Sequence, residues 1–317
     1  MKVFNSFLDF NLIKFPITFP LVYFFLLYFF PNYESLIIIG TILLLAETHF
    51  GATWPFLFNK KNFQFFISKY INFFLVPVLI IFSSILGFFY FNSLFLLFFF
   101  AANVHHVTKQ SIGICKFYKK ENSEFLFQEN LIIFYGFLFF TIAFLRFYLQ
   151  LNWININILI ISIIILLVLN SILYIYLYKL TSNFFCFLTG SIIFFPVCFV
   201  ENPTHVILMG VTMHYSQYLA MTFKITKARK IKTKKENKKR IFYYDFININ
   251  FLIFIFTYSA FMSYLSFYSK GEINPNFILI PIIGQFLHFY LDSQLWKFSI
   301  KHNLENVFKN LIYKFKN

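Results

Sequence analysis

Charge is scarce in this sequence. Asp and Glu together number 12 in 317 residues, and all charged types reach only 12%, about half the share of an ordinary soluble domain. A water-facing globular surface cannot be built from so few ions. Glycine is sparse too, nine residues in all, and Gly40, Gly87, Gly113 and Gly136 supply no matched pair of interrupted helices. The three cysteines, Cys115, Cys186 and Cys198, lie in or beside apolar segments without paired spacing, which argues against a disulfide or zinc-ribbon framework. No Gly-rich dinucleotide fingerprint and no haem-attachment motif occurs in the chain, so neither of those cofactors has a recognisable site.

What is abundant is apolar surface. Hydrophobic residues make up 59% of the chain, with 54 Phe, and the mean hydropathy is +0.70. The composition predicts an all-α, polytopic helical bundle in a membrane. Ten spans are expected, at 15–30, 36–57, 71–91, 93–115, 127–149, 156–178, 184–200, 203–223, 246–268 and 275–296. The run from Phe15 to Phe30 lacks a small-residue cleavage pattern and reads as a retained helix. No soluble domain fits between spans, so residues 1–317 read as one transmembrane domain with a basic loop at about 225–244.

Lysines fix the expected orientation. Lys60, Lys61 and Lys69, then Lys116, Lys119 and Lys120, then Lys179, then ten Lys or Arg from Lys224 to Arg240, then Lys297 to Lys316, all follow even-numbered spans. The alternate connections hold Lys270, with Arg146 nearby. The positive-inside rule therefore places both termini in the cytoplasm. It also accounts for the net charge of +15, with anionic lipid headgroups rather than nucleic acid as the partner. The expected location is an integral position in a bacterial inner membrane.

Against that background four histidines stand out. His49, His106, His214 and His288 precede Lys60, Lys116, Lys224 and Lys297 by 11, 10, 10 and 9 residues. At ~1.5 Å rise per residue this is about 14 to 17 Å, near the middle of a ~30 Å hydrocarbon core. Ionisable groups there are expensive, and their default reading is functional. One histidine in a bundle is more often an interhelical hydrogen-bond partner than a ligand. Four at one depth on separate helices have no structural reason to align.

Each carries polar neighbours. Glu47 lies two residues before His49, about 200° away on a helix, so both can face one point only if Gly51 or Pro55 distorts the span. His106 and Gln110 form one stripe and His105 and Lys109 another, about 100° apart; His106 is the favoured inward ligand and His105 its competitor. His214 is followed by Gln217, and Gln285, His288 and Asp292 make a polar stripe. Asp292 would bind the same metal or orient the His288 ring by accepting its other N–H. His205, after Asn202-Pro203-Thr204, reads as a cap or mouth residue, and His302 in the basic tail reads as solvated. Imidazoles and carboxylates together suit non-haem Fe2+, with Zn2+ or Mn2+ as alternatives.

The fragment Glu47-Thr48-His49-Phe50-Gly51 resembles the His-Phe-Gly element of the bacteriorhodopsin-related-protein family of membrane carotene-cleaving dioxygenases. That resemblance implies histidine-bound iron and oxidative cleavage of a carotenoid, and it carries over to His49. The family's His-Gly-Ala-x-x-Asp-His element is absent, as are the clustered histidine boxes of integral-membrane desaturases and hydroxylases. The leading expectation is a membrane-embedded non-haem iron oxygenase acting on a carotenoid, isoprenoid or acyl chain, with electrons from a donor protein or from the substrate. Its metal ligands would be His49, His106, His214 and His288, its catalytic carboxylates Glu47 and Asp292, with His105, Gln110, Gln217 and Gln285 as additional candidates. A proton-coupled transporter using the same groups as a midplane relay is the alternative.

Overall fold

The computed structural model describes residues 3–57, 60–151, 153–236, 250–268, 275–308 and 311. Every element among them is helical. In chain order these are α1 (Ser6–Asp9), α2 (Thr18–Phe29), α3 (Glu34–Thr41), α4 (Glu47–Gly51), α5 (Trp54–Leu57), α6 (Lys60–Ser68), α7 (Val76–Tyr90), α8 (Asn92–Tyr118), α9 (Asn122–Ala143), α10 (Trp153–Tyr178), α11 (Ser182–Ile192), α12 (Pro203–Glu236), α13 (Phe251–Tyr268), α14 (Leu279–Leu295) and α15 (Lys301–Asn303). Four helical stretches among the described residues are long and apolar enough to cross a membrane: Pro31–Gly51, Ile71–Tyr90, Asn122–Tyr148 and Ile156–Tyr178. A fifth qualifies if Ser6–Lys14 and Thr18–Phe29, bent by 65°, count as one. On α10 a stripe of Ile158, Ile161, Ile165, Val168, Leu169 and Ile172 stays more than half exposed, a face that suits lipid and not water.

Two compact units make up the chain. One comprises Met1–Ile38 with Val104–Gln217, the other Ile39–Asn103 with Tyr218–Asn317. In the first, helices approach closely through small residues. A Cβ on Gly136 would lie 2.7 Å from Thr108 Oγ1, and one on Gly190 would lie 3.0 Å from Ser111 Cβ. Gly210 in α12 abuts the backbone carbonyl of Ile193, leaving no room for a side chain. Buried Tyr174 stacks on Phe187 at 5.1 Å and 4°. Glu124 lies beneath this stack, accepting from Tyr174 (2.5 Å) and from the Asn183 amide (3.2 and 3.1 Å). Asn170, aligned by depth with the histidines in sequence, donates to Tyr135 (2.7 Å).

The first expected span is broken. A π-turn at Phe10–Lys14 precedes Pro16, and the carbonyls released there are taken up by side chains. Ser216 donates to Leu12, Gln217 to Ile13 and Thr189 to Lys14, at 3.0, 2.6 and 2.8 Å. The seventh expected span, 184–200, is helical only to Ile192 before the 3-10 turn Phe195–Cys198. The basic segment expected as a loop from 225 continues α12 to Glu236, and the rest of it lies outside the described residues.

In the second unit, α13 packs on α4 through Gly51, where an added Cβ would be 2.7 Å from the Tyr258 ring. The distortion expected of Gly51 or Pro55 occurs upstream, in the π-turn Ile42–Ala46 that leads directly into Glu47. The extra residue of a π-turn shifts the phase of every side chain after it, and such turns concentrate at functional sites. Ser259 of α13 donates to the Leu43 carbonyl within that turn. A second correction concerns the tail. His302 is stacked on Phe65 (4.1 Å, 8°) and bonded to Asn62 at 2.9 Å, so it is packed and not solvated.

Candidate metal-ligand clusters

All four histidines singled out by depth are between 0 and 6% exposed. Within the second unit, α4 brings His49 and α14 brings His288 together, with ring centroids 4.4 Å apart and planes at 71°. Within the first unit, His106 of α8 meets His214 of α12 at 5.4 Å and 90°. Metal geometry gives these spacings a meaning. Imidazoles bound at about 2.1 Å to one ion have centroids about 4.5 Å apart at a right angle and about 5.2 Å apart at the tetrahedral angle. Both pairs fall close to that range.

His288 is oriented by hydroxyls. Its Nδ1 lies 2.7 Å from Thr53 Oγ1, Thr53 donates to Asp292 Oδ1 at 2.9 Å, and Tyr218 donates to the same oxygen at 2.8 Å. The Thr53 hydroxyl also lies 2.6 Å from the Tyr218 hydroxyl, so one hydroxyl network joins His288, Tyr218 and Asp292. Nε2 lies 3.7 Å from Asp292 Oδ2, too long for a hydrogen bond. Two ligand atoms about 2.1 Å from a shared ion at about 120° would be about 3.6 Å apart. Direct orientation of the ring by Asp292 is therefore replaced by a bridge through Thr53. Neither Thr53 nor Tyr218 was signalled by sequence, because an uncharged hydroxyl in an apolar segment breaks no rule of composition.

The remaining candidates separate by burial. Glu47 is 2% exposed; one carboxylate oxygen receives the Gln285 amide at 3.3 Å, and the other has no hydrogen-bond partner among the described residues. His105 is exposed while His106 is buried, which decides between the two. Gln110 is partly buried, and Gln217 spends its amide nitrogen on the broken first helix. His205 joins a chain in which Tyr23 meets its Nδ1 at 2.8 Å and Glu34 its Nε2 at 3.1 Å. Its role at the start of α12 is thus to tie α2 and α3 to that helix.

Comparison with protein-family models, with curated protein sequences and with solved structures finds no match to this chain.

Proposed function

We propose that this chain is a membrane-embedded, histidine-ligated metalloenzyme, a non-haem iron oxygenase acting on a lipophilic substrate such as a carotenoid, isoprenoid or acyl chain. Its candidate ligands are the pair His49/His288 of the second unit and, as a separate site, the pair His106/His214 of the first, with Zn2+ or Mn2+ as alternative ions. The observation that carries the reading is the His49/His288 pair: centroid spacing suited to a shared ion, His288 Nδ1 held 2.7 Å from Thr53 Oγ1, and Asp292 Oδ2 3.7 Å from Nε2. His288 and Asp292 supply an imidazole and a carboxylate, donor types shared with the facial-triad iron sites, which keep positions open for oxygen and substrate. Iron, when bound, supplies the activation of oxygen. The protein's own part is to hold the His288 ring in place, to balance charge with Asp292, and to keep Glu47 as a proton carrier beside the site.

In this reading ten helices cross a bacterial inner membrane with both termini cytoplasmic, and substrate enters from the bilayer. Basic connections face anionic headgroups, and a separate protein or the substrate provides electrons. Elemental analysis and EPR of the detergent-purified full chain test the proposal. Bound metal is expected in the wild type, falling several-fold in His288→Ala where the second-unit pair holds the ion and in His214→Ala where the first-unit pair does. Metal that is absent from the wild type, or unchanged in both variants, sinks it.

A second reading is favoured by one observation, the first helix bent by 65° with its carbonyls capped by neighbouring helices. Discontinuous helices mark many proton-coupled transporters. Metal-free protein showing pH-dependent uptake into liposomes would select it.

A further inference from the structure

A cavity of about 280 Å³ opens in the first unit and is lined by Arg146, Phe147, Leu151, Ile156 and Glu201, none of them a histidine. It occupies the end of the unit opposite the turns that carry Lys119, Lys120 and Lys179, because α9 and α11 both start at those turns and run toward it. Arg146 is 8% exposed. A guanidinium buried at this level is expensive, and its default reading is functional.

The local backbone is shaped around it. Arg146 sits in the π-turn Phe144–Tyr148, and Gln150 then leaves the helix at φ 51, a left-handed conformation that costs a non-glycine residue about 1 kcal/mol or more. That turn carries Leu151 to the cavity wall. The guanidinium is held by donation to the Val197 carbonyl and by the Phe147 ring, whose centroid lies 5.0 Å from Cζ. A planar fork fixed in this way is suited to the oxygens of a phosphate.

Glu201 lines the same cavity with the opposite charge. A purely anionic ligand would face its carboxylate, and a purely cationic one would face Arg146. A ligand carrying both charges a few bonds apart satisfies both walls. The volume lies just under the ~300–1,000 Å³ of drug-sized sites, room for a headgroup but not for a whole lipid. The surrounding surface is apolar and open, with Tyr148, Leu149, Leu151 and Phe199 all more than 40% exposed, as expected where acyl chains approach.

We infer that this cavity binds a zwitterionic phosphoethanolamine group, the phosphate on Arg146 and the ammonium on Glu201, with acyl chains running over Phe147, Leu151 and Ile156. The inference is independent of the metal reading. Native mass spectrometry of the detergent-purified full chain tests it, using phosphatidylethanolamine, phosphatidylglycerol and free glycerophosphoethanolamine as probes. Phosphatidylethanolamine should be retained several-fold over phosphatidylglycerol. Arg146→Gln should cut that retention about tenfold with little recovery in Arg146→Lys, since a point charge lacks the fork. Glu201→Gln, at an exposed residue, should bring the two lipids to near-equal retention. Displacement by glycerophosphoethanolamine identifies the headgroup as the bound part, and retention of that compound without lipid preference assigns the site to a free zwitterion. Equal retention of both lipids by the wild type with no binding of the free headgroup overturns the inference. So does a wild-type preference that survives in Glu201→Gln.

Discussion

Two buried glutamates in this protein live in opposite conditions. Glu124, in the first unit, receives the Tyr174 hydroxyl and the Asn183 amide, and Gln128 braces Tyr174 from behind at 2.9 Å. Glu47, in the second unit, receives one weak donation from Gln285 and leaves its other oxygen without a hydrogen-bond partner among the described residues. Burying a carboxylate is tolerable when its lone pairs are met, and expensive when they are not. A satisfied group of this kind ties helices together. An undersatisfied one costs the fold stability, and this one follows a π-turn and lies two residues before His49, which is why the proposed function gives it a role.

The largest expected effect belongs to Glu124→Ala. It strands two donors in an apolar interior, and about 3 kcal/mol of stability should be lost, read as a lowered unfolding midpoint in detergent. A loss below about 1 kcal/mol would break the contrast with Glu47. Next in size is Thr53→Val, which removes the bridge between His288 and Asp292. Metal affinity should fall about 10- to 100-fold, measured by competition with a chelator of known affinity; unchanged affinity would remove Thr53 from the site. Tyr174→Phe deletes one hydrogen bond to Glu124 while preserving the stack on Phe187, so a loss of about 1 to 2 kcal/mol is expected. The smallest change should come from Glu47→Gln. A shift under about 1 kcal/mol is expected, since little hydrogen bonding is surrendered, together with loss of turnover once a substrate is in hand. A destabilisation as large as that of Glu124→Ala would make Glu47 a structural residue as well.

How far the sequence could be read depended on the scale of the signal. Apolar runs are long-range patterns, so the positions of the helices around residues 71–90 and 156–178 agree with the expected spans to within a few residues. The break near Pro16 was less legible: proline marked the place, but the bend rests on Thr189, Ser216 and Gln217 reaching carbonyls far away in sequence. Depth selected four histidines that all prove to be buried, and it separated His205 from them. Depth gives no rotation about the helix axis, however, and so could not choose between His105 and His106. Nor could it find Thr53 and Tyr218, whose importance is entirely a matter of which groups they touch.

Composition alone therefore pointed to long apolar helices and to the helical class, because a chain with so few charges suits a setting in which the backbone satisfies itself internally. The depth of the ionisable residues followed from the same arithmetic of rise per residue and membrane thickness. Tertiary structure alone decided which imidazoles pair within each unit, which hydroxyls hold His288, and which of the two buried glutamates is satisfied. Those outcomes depend on distances of about 3 to 5 Å between residues as much as 239 positions apart, and hydrogen bonding and ligation are lost within about 1 Å of error at that range.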